Sequence, residues 1–350
     1  MQKIAFVCGR YYDSNFSTGG EKLNYILLKE LKRLGYSIDL FCNNIGSLKN
    51  NIFDNTFPLK DLQEAKNNYN YILSEEGIIP SDITYIHGHS YIFRAKYMYN
   101  KLSHFFYKII SNKKHKKRLN EYLRTKANLQ LTQKVIVSSE ILKQDMIENY
   151  GVKPENIVII PPPIEEHELL SKQENKVFTF GISAVGFKRK GGYTALKAIK
   201  ELKKTKMDFK VIFIYPSKNF FVNLLIKLYN IEKHCEFIGI QKEINKFYSS
   251  IDCLLMPSII EPFGMVATEA LSNGCPVITS TRCGAADYIK HNENGFIYDA
   301  NSPVKGLVNA MLEVMAIEKD KKASFYNNCI NSVKDCNQKE FVQKYCNLLK

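Results

Sequence analysis

Apolar residues along this chain recur in two rhythms, short continuous runs and runs spaced by three or four, and the two alternate from the N-terminus onward. Ile4 to Gly9 is a β-branched, apolar run that reads as a strand, and it opens into a loop ending in Ser17, Thr18, Gly19 and Gly20. Leu23, Ile26, Leu27, Leu31 and Leu34 then keep helical spacing up to Gly35, so strand, glycine-rich turn and helix follow in order. Ser37 to Cys42, Ile83 to His87 and Lys134 to Ser138 supply a second, third and fourth strand. Alternation of this kind predicts an α/β fold with a parallel, doubly wound sheet.

Ile157 to Ile160 runs into three consecutive prolines, Pro161 to Pro163, and then into the polar stretch Glu165 to Lys176, which reads as a linker. Beyond it, strand-like runs at Val177–Ile182, Lys210–Tyr215, Cys235–Ile238, Cys253–Met256, Pro276–Thr279 and Gly295–Tyr298 are separated by helical patterns. A second Rossmann-like lobe is expected there. Residues 1–164 and 165–337 are therefore read as two domains, followed by an amphipathic pattern over Glu340 to Leu349 that makes 338–350 a terminal helix.

At 350 residues the chain is longer than one typical core, and two domains of about 150 to 200 residues each are the natural division. Hydrophobic residues make up 45%, enough to bury parallel strands on both faces, so disorder is not expected overall. The nine cysteines include no CxxC pair and no Cys/His cluster at metal-ligand spacing, which points to a reducing cytoplasm. MQKIAFVCGR begins a strand at once without a signal-peptide cleavage site, and no run approaches the length of about 18 apolar residues that spans a membrane. The expectation is a soluble, cytoplasmic protein.

Lys and Arg exceed Asp and Glu by 49 to 35, and the excess is concentrated: Lys101 to Arg118 holds seven Lys or Arg, two His and no acid, interleaved with Phe105, Phe106 and Tyr107. Such a patch suits a nucleic acid, an anionic membrane surface or a phosphorylated acceptor, and it is equally what a solvated helix face looks like. Helix-turn-helix, zinc-finger and RNP signatures are absent from the sequence, which argues against nucleic acid as the partner.

The densest chemistry lies in EPFGMVATEALSNGCPVIT, Glu261 to Thr279. Pro262 and Gly264 punctuate the entry to a helix over Met265 to Ser272, Gly274 ends it, and Pro276 starts the next buried strand. Glu261 thus precedes the helix and Glu269 sits inside it, while the helix N-terminus between them offers N–H groups to a phosphate. Upstream, FKRKGG at Phe187 to Gly192 sets three cations between a strand and a helix, where they could offset the charge of a departing diphosphate. Gly19 and Gly20 lie at a similar handover, free of a Cβ that would bar a diphosphate, although a bare Gly-Gly is also an ordinary turn.

E-P-F-G, four residues, then E-A-L and G-x-P-V-I resembles the signature of the retaining family-4 glycosyltransferases of GT-B fold, two Rossmann-like doubly wound domains facing across a cleft. The resemblance implies that Glu261 contacts the hydroxyls of the donor sugar, that Glu269 holds the ribose hydroxyls, and that the backbone of Phe263, Gly264, Met265 and Val266 lies beside the sugar and diphosphate. It assigns the diphosphate to Lys190. Many members carry an Arg where this chain has Ala184, which leaves Arg189 or Lys188 as the second cation. Gly19 and Gly20 match the family's glycine-rich loop near the donor, and FIGIQ matches the loop that meets the base, with Ile240 as the contact. YIHGHS supplies His87 and His89 as sugar or acceptor contacts, His89 being placed with the catalytic residues. Of Ser138 and Ser139, one stands near the sugar or caps a helix, Ser138 being the sugar or acceptor candidate. TRCGAADY, Thr281 to Tyr288, is given no catalytic role.

The implied activity is retaining transfer of a hexose from a nucleotide sugar, a UDP-sugar by preference, with no metal and no other cofactor. The acceptor would be a lipopolysaccharide, capsule or other cell-surface glycan or glycolipid, since PPPI, FKRKGG and CGAADYI are similar to the lipopolysaccharide-core hexosyltransferases. Lys101 to Arg118 would then meet the inner face of the membrane. The terminal helix would cross back onto the first domain. A nucleotide-sugar epimerase of the same fold and a basic nucleic-acid-binding protein are the alternatives.

Overall fold

The strand runs pair in two all-parallel sheets, each with the order that a doubly wound fold requires. The computed structural model describes residues 2–11, 19–45, 51–98, 112–215 and 220–350. Residues 101–111 of the basic stretch, with Phe105, Phe106 and Tyr107, lie outside that range. The chain divides into two compact units, Met1–Pro163 with Cys336–Lys350, and Ile164–Asp335.

In the first unit the strands are β1 (Lys3–Tyr11), β2 (Ser37–Ile45), β3 (Asn55–Pro58), β4 (Tyr71–Glu75), β5 (Ile83–Ile86), β6 (Lys134–Val137) and β7 (Ile157–Ile159). Their order is β3-β2-β1-β4-β5-β6-β7. Two of these, β3 and β4, correct the sequence reading, which passed from Ser37–Cys42 straight to Ile83. β4 is central, paired to β1 on one side and β5 on the other. Its apolar run is only Tyr71, Ile72 and Leu73, because Ser74 and Glu75 end the strand with polar side chains.

Ile4, Phe6 and Cys8 of β1 pack with Leu23, Leu27, Leu28 and Leu31 of helix Gly19–Arg33; of the residues that carried the helical spacing, Leu23, Leu27 and Leu31 are in this core, while Leu34 is exposed. The chain returns to this core at its end. Helix Gln338–Cys346 is capped by Asn337, whose Oδ1 accepts from Glu340 N at 2.9 Å. It buries Phe341, Val342 and Tyr345, and Tyr71 Oη donates to the carbonyl of Leu349.

The second unit carries β8 (Phe178–Ser183), β9 (Phe209–Ile214), β10 (Cys235–Ile238), β11 (Cys253–Met256), β12 (Val277–Ser280) and β13 (Gly295–Tyr298), ordered β10-β9-β8-β11-β12-β13. β9 and β11 are nearly all apolar, as strands covered on both faces must be, and β8 buries Thr179 to Ile182 between them. Helix Gly192–Leu202 lays Ala195, Leu196, Ile199 and Leu202 onto them. The polar segment read as a linker is pinned rather than loose. Lys172 Nζ donates to the carbonyls of Tyr248 and Ile251, and Asn175 Nδ2 to that of Ser250 at 2.9 Å. All nine cysteines are free. Among the described residues no helix is long and apolar enough to cross a membrane.

Candidate active site

β8 and β11 are neighbours whose chains continue into opposite halves of the sheet, so their carboxyl ends frame the switch point where doubly wound sheets bind ligands. The loop after β8 carries Arg189 and Lys190, and the loop after β11 carries Glu261. Lys190 Nζ and Arg189 Nη1 each donate to Glu261 Oε2 at 2.7 Å. The side chains of Glu261 and Lys190 are only 12% and 14% exposed, whereas Arg189 is 45% exposed. Burial alone would push the Glu261 carboxyl up. The charges and hydrogen bonds of Lys190 and Arg189 outweigh it and hold the group below the usual carboxylate range. An anionic side chain locked by two cations, one of them reachable, is therefore the centre of this site.

The backbone explains why the three groups meet. Ile259 N donates to the carbonyl of Arg189 at 3.0 Å, tying the two loops together. Gly191 stands at φ +75°, and a Cβ there would fall 1.8 Å from the carbonyl oxygen of Pro257, so no larger residue lets the loops close. On its other side Glu261 is held by the loop after β12. Its N–H donates to the carbonyl of Arg282 and its own carbonyl accepts from Gly284 N, both at 3.0 Å. Ala285 N donates to the carbonyl of Phe263 at 2.6 Å. Thr281 to Tyr288, assigned no catalytic role from sequence, is thus the frame that aims Glu261.

Glu269 lies one turn from the end of helix Met265–Ser272, and buried Tyr248 donates its hydroxyl to Glu269 Oε2 at 3.1 Å. Tyr248 is a positioning residue that sequence reasoning missed, 21 positions away with no motif to mark it. Phe263 buries its ring, edge-on to Tyr288, so only its backbone is available to a ligand. Met265 and Val266 form the half-buried first turn, whose N–H groups have no acceptor within the helix. Ile240 follows β10 and exposes its apolar side chain. Lys188 is exposed and, unlike Arg189, is not among the donors to Glu261. Among the described residues no group of three or more His, Cys, Asp or Glu is placed to hold a metal ion.

In the first unit the carboxyl ends of β4 and β5 bring together Glu75 and His87 beside the start of helix Gly19–Arg33. Gly20 is so close to the imidazole that a Cβ would stand 2.9 Å from His87 Cδ2. His87 Nε2 lies 3.9 Å from Glu75 Oε1, which accepts from Asn24 Nδ2 at 2.9 Å. Burial lowers the His87 pKa to about 4 and raises that of Glu75 to about 7, so near pH 5.5 both groups are neutral.

His89, expected from sequence as a sugar or acceptor contact among the catalytic residues, lies buried. Its side chain is wholly enclosed, Nδ1 sits 3.0 Å from Asp145 Oδ2, and the ring stacks on Phe93 at 4.1 Å. Asp145 also accepts from Ser90 N at 2.7 Å and from Asn149 Nδ2 at 2.8 Å, so the cluster ties the β5 end to helix Glu140–Asp145. That helix is capped by Ser139, whose Oγ accepts from Leu142 N, and not by Ser138, which is buried beside it.

The Glu75 carboxyl gives a pH prediction. A carboxyl with its folded pKa raised to about 7 contributes stability that is present below its unfolded value and lost as pH rises through 7. Glu75→Gln, which cannot ionise, should therefore gain on the natural protein between pH 4.5 and 7 by about 2–3 kcal/mol. Parallel profiles of melting temperature against pH for the two proteins would refute it.

A two-unit, all-parallel chain with paired cations and a carboxylate at the second switch point has the organisation of a GT-B glycosyltransferase. Residues 17–168 match the model for Glycosyltransferase Family 4 and residues 164–332 that for glycosyl transferases group 1. The chain belongs to the family-4 glycosyltransferases of GT-B fold. Lipopolysaccharide glucosyltransferase WaaG of Escherichia coli (strain K12) is 26% identical over 166 residues, 41% of this chain and 43% of its own length. An uncharacterized glycosyltransferase of Methanocaldococcus jannaschii, MJ1607, is 44% identical over 59 residues, 17% of this chain and 15% of its own. The chain thus spans less than half the length of these two curated relatives.

Solved structures cover more. WaaG, a glycosyltransferase involved in lipopolysaccharide biosynthesis, superposes with a TM-score of 0.71 at 14% identity over 99% of both chains. Anabaena HepE in complex with UDP-glucose gives 0.71 at 16% identity, covering 100% of this chain and 99% of its own. At such identities the likeness establishes the GT-B fold.

Proposed function

We propose that the protein transfers a hexosyl group from a nucleotide sugar, in the first instance a UDP-sugar, to a lipopolysaccharide, capsule or other cell-surface glycan acceptor. The observation that carries this reading is the triad of Arg189, Lys190 and Glu261 at the carboxyl ends of β8 and β11. Two fixed cations there can offset charge growing on a departing diphosphate, which is where a transferase most needs stabilisation. Binding of the donor would divert part of their hydrogen bonding from Glu261 to phosphate oxygens and free the carboxylate for sugar hydroxyls. Glu269, held by Tyr248, would accept from the ribose hydroxyls.

In the reaction the bond from the anomeric carbon to the diphosphate oxygen breaks, the acceptor oxygen bonds to that carbon on the same face, and the acceptor proton passes to the leaving phosphate. Configuration is retained and no metal takes part. The second unit would bind the donor and the first the acceptor. The UDP preference is supported by the fold shared with HepE, solved with UDP-glucose, and the acceptor class by the relationship to WaaG. Lys113, Lys114, Lys116, Lys117 and Arg118, exposed along the start of helix Asn112–Leu131, suit an anionic inner membrane face.

Incubation with UDP-, GDP- and ADP-sugars and extracted glycolipid, read by mass spectrometry, tests the reading. UDP release that requires the acceptor and persists in EDTA is expected, with NMR showing the retained anomer. Isomerised sugar formed without acceptor would instead identify an epimerase.

A further inference from the structure

Helix Phe220–Tyr229, FFVNLLIKLY, is apolar on both faces. Val222 and Ile226 are buried in the second unit's core, with Leu225 and Tyr229 packed against it. Phe220, Phe221, Leu224 and Leu228 face outward at 83%, 54%, 39% and 68% exposure. Phe220, Leu224 and Leu228 fall at i, i+4 and i+8, so they form one continuous ridge rather than scattered surface residues.

Cations flank this ridge. The helix runs alongside Gly192–Leu202: Phe221 meets Tyr193 edge-on at 6.0 Å, Lys200 Nζ lies 4.8 Å over the Tyr229 ring, and Lys203 Nζ donates to the carbonyl of Asn230 at 2.6 Å. Lys227, Lys204 and Lys206 are exposed. Lys204 engages Glu201 at 2.5 Å, whereas Lys200 and Lys203, set against Tyr229 and Asn230, and Lys227 on the helix itself border the ridge with positive charge.

We propose that this helix docks the second unit onto an anionic lipid bilayer, its ridge entering the acyl boundary while the adjacent lysines meet the headgroups. An apolar helical ridge bordered by cations fits a layer that is negative at its surface and hydrocarbon beneath. The ridge belongs to the second unit, and it does not depend on which sugar, if any, is transferred.

The chain contains no tryptophan, so Phe220→Trp and Leu224→Trp each introduce a single fluorophore on the ridge. With vesicles of phosphatidylglycerol and phosphatidylcholine, emission should move to shorter wavelength and be quenched by acyl-brominated lipid, with no change for phosphatidylcholine alone. The triple variant Phe220→Ser, Leu224→Ser, Leu228→Ser removes only exposed groups and should melt no lower than the natural protein. It should co-sediment with the anionic vesicles about tenfold less at high salt, where apolar insertion outlasts screened charge. UDP-sugar binding by calorimetry should be unchanged. An unshifted fluorophore, or equal sedimentation of the triple variant and the natural protein, would overturn the proposal. So would light scattering that showed a dimer lost in the triple variant without any vesicle binding, which would make the ridge a contact between two copies. Absent UDP-sugar binding in every protein would count against the proposed transferase and leave the membrane result standing.

Discussion

Lys190→Ala is expected to lower kcat/KM for the preferred nucleotide sugar by about 10²–10³-fold, the range for removing one preorganised group that stabilises developing charge. Lys190 is nearly buried and donates to Glu261 at 2.7 Å, so its ammonium is held in place before any substrate arrives. If it acts on the leaving diphosphate, the loss falls mainly on kcat, because charge on that oxygen is greatest in the transition state. Arg189 is more exposed and shares the same carboxylate oxygen. Arg189→Ala should follow the same direction with a smaller loss.

Removing Lys190 also leaves Glu261 with one cation, and its carboxyl should rise from its lowered position toward the ordinary range. Lys190→Ala combined with Glu261→Gln should therefore lose less than the sum of the single effects, as residues in one network do. A Lys190→Ala enzyme with unchanged kcat/KM, measured by nucleotide release, would remove the central claim about this site.

Glu269→Gln is expected to weaken nucleotide-sugar binding by about 10–100-fold, the equivalent of one or two hydrogen bonds to a charged acceptor. The amide keeps an oxygen for the Tyr248 hydroxyl, so the helix and its packing should survive. A 2′-deoxyribose analogue of the donor separates the ribose assignment from a general disturbance. The natural enzyme should bind it more weakly than the parent donor, and Glu269→Gln should discriminate little between the two. Calorimetry showing the same preference for the ribose donor in both proteins would contradict the role.

Much of the second unit was legible in the chain. Cys235–Ile238, Cys253–Met256, Gly295–Tyr298 and helix Met265–Ser272 occur where the apolar runs and the Gly and Pro punctuation put them. The first unit was harder. Tyr71–Glu75 is central yet shows only three apolar residues, since Glu75 turns its carboxylate to Asn24 at the start of a helix 51 positions earlier. A local window sees a short, polar-ended segment there and no strand. The histidine pair shows the same limit: YIHGHS could not say that His89 is sealed against Asp145 while His87 leans on Gly20.

Residue order alone determined most of the strands and helices, β3 and β4 excepted, and that two doubly wound sheets follow one another. Those outcomes depend on apolar periodicity, turn chemistry and helix ends, all of which act over a few neighbouring residues. Only the tertiary structure decided the partners: Lys190 with Glu261 across 71 positions, Tyr248 with Glu269, and Asp145 with His89 across 56. Hydrogen bonds and close ion pairs act within about 3–4 Å, and in a parallel sheet it is the crossover connections, not sequence distance, that bring strand ends so near.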